Sequence, residues 1–302
     1  MCDDLTEAEN AALLSRRTVV GASAAALLVG CGPTRSAPDP GPPPEPPPEP
    51  ARADASETRS RRVTVPTPDG EADAFFVFPA AGRHAAVLLW PDVAGLRPAY
   101  ETMATRLAAA GYAVLAVNPY YRSAKGPILK DFDEWRTDEG RARIGPMREQ
   151  LTADAIAKDG VAFVAWLDQQ PEVDPTRKVG TQGYCMSGPF TFRVAAAVPE
   201  RVGAFASFHG GGLVTPDADS PHGLLPRVKA AALVCIAQND HERDPDAKPA
   251  LVEAARTAGV TAEIEVYPAN HGWCALDSPV YDEAQAERAW ARLLATYAER
   301  LV

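Results

Sequence analysis

The chain has 302 residues, enough for one large α/β domain with additions or for two small domains. Hydrophobic residues make up 46% of it, an ordinary share for a protein that closes a full core. A formal net charge of −10 and an isoelectric point near 5.1 argue against nucleic acid or an anionic membrane surface as the main partner.

The first thirty residues read as an export signal. Arg16 and Arg17 precede an apolar run over residues 18–30, which is too short and too rich in Ala and Gly to span a bilayer comfortably. Leu28-Val29-Gly30-Cys31 resembles a bacterial lipobox, in which Cys31 becomes the lipidated first residue of the mature protein. Ser15-Arg16-Arg17 looks like a twin-arginine signal, with Val19 where Phe is usual. Residues 31–56 follow as a linker. Ten of the 18 residues between positions 33 and 50 are proline, which cannot build a core and favours an extended spacer. At about 3.1 Å per residue that stretch reaches roughly 50–60 Å, room for a tethered domain to stand clear of a bilayer.

From residue 57 onward the pattern becomes regular. "RRVTVPT" and "ADAFFVFP" predict a hairpin through Pro-Asp-Gly. There follow "AAVLLW", a helix around 99–110, "YAVLAVN", and a long helix around 149–170. Then come "KVGTQ", a helix after Gly188, "VGAFASF", "AALVCIA", a helix around 245–258, "AEIEVYP" and a final helix around 282–299. Short β-rich runs alternating with helices predict an α/β fold, a mostly parallel sheet with helices on both faces. The charged segment 122–148 reads as an excursion beside the active face.

In such a sheet ligands sit at the carboxyl ends of the strands. Those ends carry Asp92, then Tyr120, Tyr121 and Arg122, then Cys185, His209, Asp240 and His271. Strand–"GYCMSG"–helix is a nucleophile elbow with Cys185 in the nucleophile's place and small residues, Gly183 and Ser187, two positions away. The following helix aims N–H groups at the sulfur, and the N–H of Met186 is placed to bind an oxyanion. Asp240 and His271 follow in the order nucleophile, acid, base, so His271 would move the thiol proton and Asp240 would orient the imidazole. Taken singly, a histidine in "PANHGW" is more often a pocket residue, and Asp240 could cap a helix. Their order and strand-end placement favour the catalytic reading.

Three features argue against themselves. "HGGG" at 209–212 follows the nucleophile, whereas lipase oxyanion loops precede it, so it reads as a pocket edge from which His209 touches substrate. His271 and Cys274 have no second ligand pair, and no metal is expected. Ser187 lacks a glycine two residues before it. Of the remaining cysteines, Cys235 in "AALVCIA" reads as a core residue, and a Cys235–Cys274 disulfide stays open.

"GYCMSG", "IAQNDHERDP" and "VYPANHGW" together resemble the dienelactone hydrolase family, over roughly Arg61 to the C-terminus. The resemblance implies a single-domain α/β-hydrolase with a Cys185-Asp240-His271 triad. "PDVAGL" matches the family's acid-x-x-Gly-Leu turn, where the acid is Glu and helps deprotonate the thiol. The resemblance therefore gives Asp92 that role and Val93 the second oxyanion N–H, although Asp is one methylene shorter. It also gives Arg122, in the aromatic turn "NPYYR", the task of holding a substrate carboxylate beside Tyr121. No second arginine stands near His271 in "GWCALDS".

The resulting expectation is a monomeric, exported lipoprotein that hydrolyses small esters or lactones through a thioester, without a cofactor. Its alternatives are a general carboxylesterase with the same triad and a non-catalytic binding lipoprotein.

Overall fold

The computed structural model describes residues 57–302. The expected signal peptide, Cys31 and proline-rich linker lie outside the described residues. Among the described residues no helix is long and apolar enough to cross a membrane.

Eight strands form one sheet in the order β1-β2-β4-β3-β5-β6-β7-β8. β1 (Thr58–Thr67) and β2 (Gly70–Pro79) make the predicted hairpin, and β2 runs antiparallel to β4 (Ala113–Val117). β3 (Ala86–Trp90), β4, β5 (Val179–Tyr184), β6 (Val202–Phe208), β7 (Ala231–Ala237) and β8 (Ala262–Tyr267) are parallel. Every residue of β3, β4 and β5 is buried, which explains why β3 and β4 read as unbroken apolar runs.

Helices cover both faces. α1 (Pro98–Ala109) lies on one face, where Tyr100, Leu107, Leu293 and Tyr297 share one apolar cluster. α2 (Phe132–Trp135) and α3 (Asp138–Arg148) belong to the excursion. α4 (Ala153–Leu167) and α5 (Gly188–Ala197) cover the other face through Ile156, Phe163 and Phe192. α6 (Gln238–Arg243) is a short helix directly after β7, and Asp240 lies in its first turn. α7 (Ala247–Ala258) joins the α4 side, and α8 (Glu283–Arg300) carries Leu293 and Tyr297 onto the α1 side. The 122–148 excursion has its own apolar cluster of Leu129, Phe132, Trp135 and Ile144, packed on Val93 and Tyr120. It is a lobe seated on the strand ends, as the charged pattern had indicated only vaguely.

The elbow after β5 is locked by sterics and by two hydrogen bonds. Cys185 has φ 54°, a left-handed conformation that an L-residue holds only when its surroundings over-determine it. Ser187 Oγ accepts from the Tyr184 N–H at 2.9 Å and donates to the Trp90 carbonyl at 2.9 Å. A Cβ on Gly183 would sit 2.2 Å from the Ser187 carbonyl oxygen, so only glycine fits there.

A second lock crosses between loops. The buried Arg97 guanidinium donates to both oxygens of Asp92, at 2.7 and 3.0 Å, and to both oxygens of Asp277, each at 2.7 Å. Asp277 also accepts from the Phe132 N–H at 3.0 Å. One cation thus joins the turn after β3, the excursion and the segment after His271. Burial by itself would lower the Arg97 pKa, but the two carboxylates hold it well above its ordinary value. Burial likewise works against Asp277 ionisation, and Arg97 overcomes it, holding that carboxyl below the usual range.

Two stability predictions follow from these locks. Gly183→Ala should lower stability by at least about 1–3 kcal/mol, the usual cost of overpacking, seen as a lower thermal midpoint. Arg97→Met should cost about 3–5 kcal/mol in denaturant unfolding, because Asp92 is left buried without its partner, and adding Asp92→Asn should recover part of the loss. The Asp277 contribution should be complete above about pH 4 and lost as pH falls through its depressed folded value, so Asp277→Asn should flatten the acid limb of the stability profile.

Candidate active site

The carboxyl ends of β5, β6 and β7 and the turn after β8 bring four predicted residues together. Cys185 Sγ and one ring nitrogen each of His209 and His271 lie within 4.8 Å of one another, and all three residues are buried. His271 Nδ1 is 2.6 Å from Asp240 Oδ2. An ionised carboxylate can only accept, so Nδ1 is the donor in this contact. The His271 backbone N–H donates to Asn239 Oδ1 at 2.8 Å, which ties the base loop to the same short helix that carries Asp240. Arg243 lies 3.6 Å from the other Asp240 oxygen. The His271 ring is therefore held in place by the Asp240 carboxylate.

Tyr120 links the turn after β3 to the elbow. Its hydroxyl donates to the Val93 carbonyl at 2.7 Å and lies 3.4 Å from Met186 Sδ. One ring thus holds together the two residues whose N–H groups the sequence offered for an oxyanion. Asp92 shapes the same turn, with Oδ1 accepting from the Ala94 N–H at 2.9 Å and its carbonyl accepting from the Gly95 N–H at 3.0 Å. Both of its carboxylate oxygens are engaged by Arg97. Arg97 is the residue that sequence reasoning missed. The signal was present as "GLRP", immediately after the matched turn, but its partner Asp277 lies 180 residues away.

Tyr121 and Arg122 stand in a different network. Arg122 donates to Asp159 and Asp69, and the Tyr121 hydroxyl donates to Asp159 at 2.7 Å beside Thr67. Against the downward pull of burial, these carboxylates raise the Arg122 pKa above its ordinary value. None of these bonds runs to Cys185, His209 or His271.

His209 ends β6 with φ 42° and is buried. Neither ring nitrogen has a hydrogen-bond partner. Its ring meets that of His271 edge-on at 4.8 Å and that of Trp273 at 5.1 Å. Burial, and then the neighbouring His271, push its pKa well below the ordinary histidine value, so it is neutral at neutral pH. Cys235 and Cys274 are unreactive by placement. Cys235 and Cys274 are free and buried, so no disulfide joins them, and burial pushes the Cys235 thiol up to about 12 and Cys274 well above its ordinary value.

An open cleft begins beside the base. Its walls include Gly210, Leu213, Asp240, Lys248 and His271. The "HGGG" turn is thus a pocket edge, as read from the sequence. It also packs on the elbow, since a Cβ on Gly188 would sit 2.5 Å from Gly210 Cα.

The chain is similar to known proteins. The dienelactone hydrolase family model matches residues 72–301. A Synechocystis sp. protein provisionally named a carboxymethylenebutenolidase is 27% identical over 237 residues, covering 76% of this chain and 93% of the relative. The carboxymethylenebutenolidase of Pseudomonas sp. (strain P51) is also 27% identical, over 74% of this chain and 89% of its own length. Among solved structures, a dienelactone hydrolase-like promiscuous phosphotriesterase from metagenomic libraries superposes with a TM-score of 0.67. The match covers 81% of this chain and 99% of that one, and at 21% identity it speaks for the fold alone. By its match to the family model and its mostly parallel eight-stranded sheet, this chain is a hydrolase of ester or lactone bonds belonging to the dienelactone hydrolase family.

Proposed function

We propose that the chain cleaves small esters or lactones through a thioester on Cys185, with His271 as base and acid and Asp240 as its orienting partner. The observation that carries this reading is the 2.6 Å Asp240–His271 contact, set beside a cysteine held left-handed at the head of a helix. In the reduced enzyme, His271 Nε2 takes the thiol proton and the sulfur attacks the acyl carbon. Carbonyl oxygen becomes an oxyanion facing the N–H groups of Met186 and Val93. On collapse the C–O bond to the alcohol breaks and His271 returns the proton to the leaving oxygen. In a lactone that alcohol stays tethered to the acyl group. Water then attacks the thioester as His271 takes its proton, the acid leaves, and the thiol is restored.

Asp92 acts in this scheme through the turn it shapes. Its carboxylate is held by Arg97, so proton removal falls to His271. Neutral His209 faces the acyl group from the strand end beside the cleft. A substrate carboxylate reaching Arg122 would have to compete with Asp159 and Asp69, so recognition beside Tyr121 requires that network to open. The capture of Asp92 is also the observation that favours a second reading, a binding protein that keeps the scaffold without turnover. For location, the reading is an exported monomer tethered by lipid at Cys31, supported by the lipobox-like run and the proline spacer that follows it.

An ester and lactone panel on the full chain tests the activity. Cys185→Ala and His271→Ala should each lower kcat/KM by about 100- to 10,000-fold, and Asp240→Asn should fall in the same range. Full activity in Cys185→Ala would overturn the nucleophile, while ligand-induced thermal stabilisation without turnover of any panel member would establish the binding protein instead. Metabolic labelling with a fatty acid should mark the exported protein and vanish in Cys31→Ser; an unlabelled soluble product would sink the anchor.

A further inference from the structure

His209 has no partner for either ring nitrogen although it is 1% exposed. A buried imidazole left in that state costs free energy unless something the protein is built to hold completes it. Its nearest polar neighbours are the nucleophile and the base, with ligand atoms within 4.8 Å of one another. We propose that Cys185, His209 and His271 together form a site for one thiophilic divalent cation of the zinc and cadmium class, and that occupancy reversibly switches the hydrolytic site off.

The donor set fits that chemistry. One thiolate and two neutral imidazoles are borderline-soft ligands, and three protein ligands leave a fourth tetrahedral position for water. At Zn–S of about 2.3 Å and Zn–N of about 2.0–2.1 Å, tetrahedral angles ask for ligand atoms roughly 3.3–3.6 Å apart. The three ligand atoms, within 4.8 Å of one another, must therefore draw together by about 1.5 Å at most. His209 can turn toward the others without breaking a hydrogen bond, because it makes none through its ring. His271 is oriented already, since a carboxylate on Nδ1 fixes the tautomer that presents Nε2 to a metal and strengthens it as a ligand. His209 needs no proton removed, and once reduced Cys185 releases its thiol proton to solvent on binding. Spacing along the chain gave no hint of this. The pair suggested by sequence was His271 with Cys274, yet the cysteine beside His271 is Cys185, and the second histidine comes from the end of β6.

The consequence is inhibition, because a cation on the thiolate and on Nε2 takes both the attacking electron pair and the base. The site rests on the same triad residues as the proposed hydrolysis, so the test is read by binding and not by turnover. Reduced full-length protein carrying Cys2→Ser and Cys31→Ser is titrated with Cd2+. Expected is one ion per chain with an ultraviolet thiolate-to-metal charge-transfer band, competed by Zn2+ and removed by a chelator. Cys185→Ser should abolish the band. His209→Ala should weaken Cd2+ at least ten-fold, and His209→Cys should restore tight binding with a stronger band, which excludes a mere folding defect. Equal Cd2+ affinity in wild type and His209→Ala would overturn the three-residue site, as would a band that survives Cys185→Ser. Tight binding with no ester turnover would leave this site standing while removing the hydrolase reading. Turnover that Zn2+ does not inhibit would remove the switch.

Discussion

The contact on which the site most depends is a cation with no solvent exposure. Arg97 donates to four carboxylate oxygens, two on Asp92 and two on Asp277, and so joins segments that the chain places far apart. Taking three charges out of water is costly, and the bidentate geometry on each side is what offsets the desolvation. The yield is positional. Asp92 sets the turn that carries Val93, and Asp277 holds the loop that carries His271. The lobe made by α2 and α3 joins the same node through the Phe132 N–H.

Around that node Cys185 is held by strain and close packing. A left-handed cysteine and a left-handed histidine cost about 1–3 kcal/mol each, repaid by the buried sheet beneath them. Gly183, Ser187, Gly188 and Gly210 are small because two backbones meet there with no room for more atoms. The result is an elbow whose sulfur position is set by neighbouring backbone and not by side-chain choice. Flexible side chains could not hold a reacting atom to that tolerance.

Much of this was legible along the chain. The alternation of apolar runs and helical periods gave eight strands in sequence, because buried parallel strands need continuous apolar residues and their crossovers need amphipathic helices. The elbow was legible because its steric demand falls on residues two positions apart. Asp240 and His271 were legible because strand ends gather ligand-facing residues whatever their separation. Less legible were partners. Arg122 read as a substrate clamp, while in the fold its guanidinium meets Asp159 on α4 and Asp69 in the hairpin turn, contacts with no local spacing rule. His209 read as a pocket edge, and nothing in "FHGGG" disclosed that both ring nitrogens would lie unpartnered against His271.

The sequence by itself determined the elements, their layering and the identity of the residues at the strand ends, since periodicity and turn sterics are local. Tertiary structure decided which of those residues meet. Pairing between side chains 31 to 180 residues apart depends on strand order and loop packing, and neither leaves a period in the sequence. That is why Cys185, Asp240 and His271 could be proposed as a set from their order along the chain, while the Arg97 bridge and the Cys185–His209–His271 cluster emerged only in three dimensions.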